Sequence, residues 1–344
     1  MNLQDPIVIR GNTIKNRIVM EPMYTFSFHG DNGFFYGSEH IEHYTARARG
    51  GAGLIMLQGT NVLGAFCGTE KWTEGNTQVL RTIAENCHDY GAAVMMQLSC
   101  GNEDINKLTL PQVHDMQRDM VQAAATSYIL GFDGAEFHFA HGYTLCKFLD
   151  AAYNRRTDAY GGSVERRAAI LTEILPEIRN KTGEHFMIGV RMGEYQPDSS
   201  DGIAAAKVFE NAGIDLINIS FGMKQSEGPV PEGFPLSAIT LSGCRIRKEV
   251  HIPVIAVNEI RKAEQARYLV EQDCADLVGV GKAMLTDPDF ASHVLSGEHV
   301  NPCHNCKDCS WFTDHTKCPG LKALLRKNER ASRRENRRSR HDTK

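Results

Sequence analysis

His138-Phe139-Ala140-His141-Gly142-Tyr143 puts two imidazoles and a phenol within six residues. Two imidazole N–H groups can hydrogen-bond one oxygen and stabilise negative charge that develops on a carbonyl. A phenol with a reference pKa near ~10 keeps its proton at neutral pH and can donate it to a reacting centre. A metal reading of this His-x-x-His pair is weaker. Zinc sites of that kind use a helical i, i+4 pair and a third ligand, and no acidic residue adjoins the two histidines. The bland alternative is a pair of satisfied structural histidines.

Four further places carry candidate chemistry. Gly279-Val280-Gly281-Lys282 offers backbone N–H groups and an ammonium, which suit a phosphate, although such a turn is often only tight. Arg191 is the single charged residue of Met187–Met192 and needs an anion or several acceptors. Gln97 offers a donor and an acceptor side by side, as the edge of a ring imide requires; its alternatives are a core amide, as a mouth salt bridge is for Arg191. Four of the ten cysteines, Cys303, Cys306, Cys309 and Cys318, fall within 16 residues. In a reducing compartment that density points to a metal site rather than disulfides. Four thiolates suit an iron–sulfur cluster or tetrahedral zinc, and unliganded thiols are the third reading.

These residues need elements to hold them. Eight short apolar runs recur: 17–20, 53–57, 94–98, 134–137, 187–191, 216–219, 254–257 and 277–280. Near-continuous hydrophobic segments of this kind belong to strands covered on both faces. Helical patterns lie between them, at 37–49, 76–90, 113–130, 164–182, 202–212, 237–249 and 262–272, several closed by glycine. Eight β/α alternations in about 290 residues predict an α/β fold of the (β/α)8 TIM-barrel type. A doubly wound sheet is the runner-up, but its Gly-x-Gly-x-x-Gly turn is missing after the first strand. In a barrel, the catalytic groups sit just past the strand ends. There the sequence has Pro22-Met23, Gln58-Gly59, Gln97, His138 with His141, Arg191, Ser220, Asn258 and Gly281-Lys282. The strand interiors are expected to be Ile, Val, Leu and Met.

The 344 residues are 42% hydrophobic and 23% charged, which excludes a disordered chain or a small disulfide scaffold. The net charge of −4 hides an asymmetry. The stretch 321–344 holds 10 Lys/Arg against 3 Asp/Glu, a net +7, and the rest holds 28 against 39, a net −11. No apolar run is long enough to span a membrane, and the N-terminus shows no secretory signal, so a cytoplasmic location is expected. Three parts follow: a barrel over 1–300, a Cys-rich loop over 301–320 and a basic tail over 321–344. The tail is expected to be a short helix fraying into a solvated end.

The run from Gly131-Phe132-Asp133-Gly134-Ala135-Glu136-Phe137-His138 through His141-Gly142-Tyr143 to Asn154-Arg155-Arg156-Thr157-Asp158-Ala159-Tyr160-Gly161-Gly162-Ser163 closely resembles the old yellow enzyme family. Asn16-Arg17-Ile18-Val19-Met20-Glu21-Pro22-Met23 looks like that family's first strand, and Ala275 to Asp289 like its last. The resemblance covers about residues 5 to 310. It implies a TIM barrel that binds FMN and passes hydride from NAD(P)H to an activated alkene. By position it implies flavin contacts from Pro22, Met23 and Gly59, a pyrimidine edge held by Gln97 and Arg191, and a phosphate held by Asn258, Gly281 and Lys282. His138 and His141 would bind the substrate carbonyl, and Tyr143 would donate the proton. The cysteine cluster stands where the 2,4-dienoyl-CoA reductase branch has its 4Fe–4S ligands, with spacing C-x2-C-x2-C-x8-C instead of about C-x2-C-x3-C-x11-C. That branch continues into electron-supply domains; in a chain of this length none is expected, so a cluster here would be structural or reduced by a separate electron-donor protein. A homo-oligomer is compatible with the same family.

The departures are local. Tyr24 follows the Pro-Met pair where Cys or Thr is usual. Gln97-Leu98-Ser99-Cys100-Gly101-Asn102 lacks the family's His and Arg. Asn258-Glu259 replaces Gly-Gly, and Lys282 replaces Arg. Two other functions compete: an RNA-acting FMN reductase resembling the dihydrouridine synthases, with the basic tail as its arm, and a non-enzymatic flavin or iron–sulfur electron carrier. Nucleic acid is not the expected partner, since the Tyr-Gly-Gly-Ser stretch and the His pair argue for a small alkene.

Overall fold

The computed structural model describes residues 1–28, 35–63, 74–194, 199–223 and 229–342. Two strands, β1 (Ile7–Ile9) and β2 (Asn12–Ile14), form an antiparallel hairpin. Its two-residue turn, Arg10-Gly11, has positive φ at both positions, the geometry that matches the right-handed twist of a hairpin. Eight parallel strands follow and close on themselves: β3 (Ile18–Met20), β4 (Leu54–Asn61), β5 (Ala93–Ser99), β6 (Gly134–Phe139), β7 (Met187–Glu194), β8 (Leu216–Phe221), β9 (Val254–Ala256) and β10 (Leu277–Val280). Each strand pairs with its neighbour in sequence, and β10 pairs back onto β3 through Val280 and Met20. The expected (β/α)8 barrel is therefore the fold, and all eight strands lie on the apolar runs.

The helices between them are α1 (Ser38–Arg49), α2 (Glu74–Asp89), α3 (Leu110–Ile129), α4 (Thr144–Leu149), α5 (Val164–Thr172), α6 (Leu175–Lys181), α7 (Ser199–Ala212), α8 (Ala238–Arg247) and α9 (Ala263–Glu271). The single helix expected over 164–182 is two. Pro176 lies in the first turn of α6, where its missing N–H and fixed φ are tolerated but an uninterrupted helix is not. The α4 turn, which carries the chain away from His141 and Tyr143, has no counterpart in the sequence-based reading.

Two apolar layers result. One lies between strands and helices. The other fills the lower barrel with Val19, Leu54, Met56, Met95, Met187, Leu216, Ile255 and Leu277, and the hairpin residues Ile9 and Ile14 seal it from below. Because these residues come from the beginnings of the strands, the hairpin plugs the N-terminal end. The opposite end is left for polar groups.

After β10 come α10 (Lys282–Thr286) and α11 (Phe290–Ser296), then the cysteine-rich segment and α12 (Pro319–Asp342). Trp311 and Cys318 pack on Leu285, with Met23 and Cys309 at their edge. Asn301 ties the segment down by donating to Thr286 O (2.9 Å) and Gly320 O (3.0 Å). The tail differs from expectation: it is one helix of 24 residues, not a short fraying one. After Gly320 it contains no helix breaker and is rich in Ala, Leu, Arg, Lys and Glu, which have high helix propensity. Its last two residues lie outside those described. Among the described residues no helix is long and apolar enough to cross a membrane.

Candidate active site

Register brings the candidate residues together at the C-terminal ends of the strands. Gln97 on β5 stands opposite Glu136 on β6, His138 opposite Arg191 on β7, and Arg191 opposite Asn218 on β8. Side chains alternate along a strand, so Glu136 and His138 share one face, as do Asn218 and Ser220. These side chains meet inside the barrel, just above the apolar layer.

The centre is a buried charge network. Arg191 Nη1 lies 2.9 Å from Glu21 Oε2. Asn218 Nδ2 donates to Glu136 Oε2 (2.8 Å) and is shared between Glu21 Oε1 and Oε2 (3.2 and 3.1 Å). Gln97 Nε2 donates to Glu136 Oε1 at 2.7 Å. All five residues are buried. Burial pushes the Glu136 carboxyl up to about 7, against the pull of Arg191, and raises Glu21 as well. Gln97 and Arg191 were expected to face a flavin edge. Each is also anchored to a carboxylate that the sequence-based reading did not single out. Glu136 and Asn218 stand inside strands expected to be purely aliphatic there. Period-two alternation was the available signal: Glu136 and His138 are two apart, between the buried apolar residues Ala135, Phe137 and Phe139.

His138, His141 and Tyr143 form one aromatic group. Ring centroids are 4.8 Å apart for the two histidines and 5.3 Å for His138 and Tyr143. His141 takes a left-handed φ of 62° before Gly142 at 73°, and its N–H donates to Phe221 O (3.0 Å). That turn swings the second imidazole back toward the first. His141 Nε2 is 2.7 Å from Ser220 Oγ, which fixes the ring. Burial lowers both histidines, His141 to about 3 and His138 well below the usual range, with Arg191 adding to the effect. Both are therefore neutral at pH 7, and a neutral imidazole can donate an N–H without carrying a charge.

The first strand's end supplies Glu21, Pro22, Met23 and Tyr24. A Cβ on Gly59 would lie 2.7 Å from Tyr24 Oη and 3.0 Å from Gln97 Oε1, so these three converge and the glycine leaves the space. Burial raises the Tyr24 phenol to about 12, with Tyr143 near enough to contribute. A Cβ on Gly281 would meet Met23 Sδ at 2.9 Å, which places the turn after β10 directly beside the turn after β3.

The remaining corner is more open. Asn258 and Glu259 both have left-handed φ, 95° and 58°. These are positions where glycine is unstrained, which accounts physically for the Gly-Gly usual in the family. The Glu259 carboxylate is drawn toward Arg261 Nη2 (3.7 Å) and Asn305 Nδ2 (3.4 Å). Lys282 Nζ donates to Asn305 Oδ1 at 3.3 Å. Asn305, between Cys303 and Cys306, thus bridges both candidate phosphate turns, a role with no sequence signal. Lys282 also lines a pocket with Cys303, Cys306, Cys309 and Cys318, so the four cysteines do gather around one space. Among the described residues, no three of their sulfurs lie within 4.8 Å of one another; the set that does meet that spacing is Asp287, Asp289 and His293.

The mouth suits a flat, polar-edged cofactor with a phosphate tail. Glycines open its floor, and Arg191 Nε and His138 Nδ1 are buried without a partner. An ammonium and left-handed backbone turns stand at the far end. These features fit FMN.

Comparison with known proteins agrees. The sequence model of the NADH:flavin oxidoreductase / NADH oxidase family matches residues 2–109 and 99–301. An NADH oxidase of Thermoanaerobacter brockii is 31% identical over 338 residues, 86% of this chain and 51% of that one. An NADPH dehydrogenase of Halalkalibacterium halodurans is 32% identical over 82% of this chain and 90% of its own length. The old yellow enzyme homologue from Zymomonas mobilis shares the fold, with a TM-score of 0.72 at 22% identity, covering 93% of this chain and 99% of that one. The chain spans about half the length of the first of these relatives. With the family match running across the whole barrel, the chain belongs to the NADH:flavin oxidoreductase / NADH oxidase family, the FMN-dependent enzymes to which old yellow enzyme belongs.

Proposed function

We propose that this chain reduces an activated alkene, an enone or dienoyl-type compound, with electrons from NAD(P)H. The observation that carries the reading is the neutral His138/His141 pair beside Tyr143 at the barrel mouth. Bound FMN supplies reversible hydride transfer. The protein's part is to bind, orient and protonate. The backbone at Pro22 and Met23 and the surface at Gly59 receive the ring. Gln97 and Arg191 hold its pyrimidine edge. Asn258, Gly281 and Lys282 hold the phosphate. His138 and His141 donate to the substrate carbonyl oxygen, so charge that accumulates there as the alkene accepts hydride is stabilised where it develops. The Tyr143 hydroxyl gives its proton to the neighbouring carbon. Nicotinamide and alkene use the same mouth in turn, which predicts ping-pong kinetics.

The chain is read as a barrel over 1–300 that carries the chemistry, a cysteine loop over 301–320 that forms a metal site, and a basic tail over 321–344. Cys303, Cys306, Cys309 and Cys318 are the ligands we assign to it. Four thiolates suit an iron–sulfur cluster or tetrahedral zinc.

Stopped-flow measurement of the two half-reactions tests the reading. Tyr143→Phe is expected to slow alkene reduction about 10²–10⁴-fold, the usual worth of a positioned acid, and to leave reduction by NAD(P)H nearly intact. Equal loss of both half-reactions would remove Tyr143 as proton donor.

A further inference from the structure

The charge beneath the mouth does not balance. Glu21 and Glu136, 2% and 0% exposed, face one guanidinium, Arg191. Every surrounding element supplies a neutral group at this level: Met56 Sδ from β4, 3.7 Å from Asn218 Nδ2; Gln97 from β5; His138 and His141 on and after β6; Asn218 from β8; Val257 after β9; and Gly279 from β10. Gly279 is there for Glu21: a Cβ at this position would collide with Glu21 Oε1. Asn218 bridges the two carboxylates with one amide nitrogen, and its Oδ1 is buried without a donor. Beside a single cation, the second of two buried carboxylates joined in this way gives up its proton only as pH rises through about 7.

We infer that Glu21 and Glu136 act as one proton-holding pair for the redox site: when hydride arrives and leaves one extra negative charge in the mouth, one carboxylate of the pair takes a proton from solvent, and it releases that proton when hydride passes to the substrate. The inference rests on the flavin reading above. In the protein one O–H bond forms and later breaks, and the net charge of the cavity is the same before and after. Arg191 alone would stabilise the added charge permanently. Glu21 offsets that cation, so the compensation comes and goes with the electrons. Glu21 is thus a positioning residue acting through Arg191 and Glu136, and either carboxylate alone would stay ionised against Arg191.

Two isosteric variants, Glu21→Gln and Glu136→Gln, test this with two readouts. The first needs no flavin: infrared titration of the protein should show a protonated carboxyl band that fades as pH rises through about 7, absent in both variants. The second is the pH dependence of the bound flavin's midpoint potential just above neutral pH. The wild type should take up two protons per two electrons, the hydride's own and the pair's, and each variant one. Equal slopes in all three proteins, or no such band in the wild type, would overturn the inference. A protein that binds no flavin would contradict the proposed function and the redox step together, while the infrared band would still decide whether the proton is shared.

Discussion

Beneath β5 to β8 the polar groups are buried and bonded to one another; after β9 and β10 they are partly exposed and bonded to a loop from outside the barrel. Gln97, Glu136, Arg191, Asn218 and Glu21 form a network whose members fix each other's orientation before any ligand arrives. Asn258, Glu259 and Lys282 depend on left-handed backbone and on Asn305. Both ends address the same proposed cofactor. One end is set by strand register and is costly to disturb, while the other is set by turns and is adjustable.

The largest expected effect follows from breaking the buried end. Arg191→Met leaves two buried carboxylates without a cation and should destabilise the protein by about 3–5 kcal/mol, read by chemical denaturation. A loss confined to flavin binding, with stability unchanged, would mean that the network is not structural. A smaller effect comes from pH. Because the folded-state pKa of Glu136 is raised from 4.5 to about 7, its contribution to stability is fully present below 4.5 and is lost as pH rises through about 7. The stability of the wild type relative to Glu136→Gln should therefore fall by roughly 1–3 kcal/mol across that window. A constant difference would show that Glu136 titrates normally.

The open end should respond more mildly. Lys282→Met removes one charged contact and is expected to weaken FMN binding about tenfold to a hundredfold while leaving riboflavin unchanged. Equal loss for both flavins would assign Lys282 to the cysteine pocket instead of the phosphate. Smallest of all, Glu259→Gly removes a carboxylate from beside the proposed phosphate and should tighten FMN binding by about 0.5–1 kcal/mol. Weaker binding would show that the Glu259–Asn305 link supports the turn.

The same contrast governs what could be read without coordinates. The barrel was legible because both strand faces are covered, which makes every strand an apolar run. His138, His141, Tyr143 and Arg191 stood out as polar residues at the ends of such runs. Glu136 and Asn218 did not, because they sit inside the runs, where a single polar residue reads as noise unless the inward face is followed two residues at a time. Glu21 was legible only as part of a strand-end motif; its role depends on Gly279, more than 250 residues away in sequence. Asn305 was invisible because its two partners, Glu259 and Lys282, belong to two other turns, distant in sequence. The cysteines were recognised as a group, yet the tail after them was read as shorter than its 24-residue helix.

In the proposed function this mouth binds FMN and moves hydride through it. The direct measurement is the visible spectrum of anaerobically purified protein, supplied with FMN and then titrated with NADH or NADPH followed by an enone. Flavin bands should bleach with the nicotinamide and return with the enone. Protein that stays colourless with FMN present, or flavin bands that neither nicotinamide bleaches, would contradict that function.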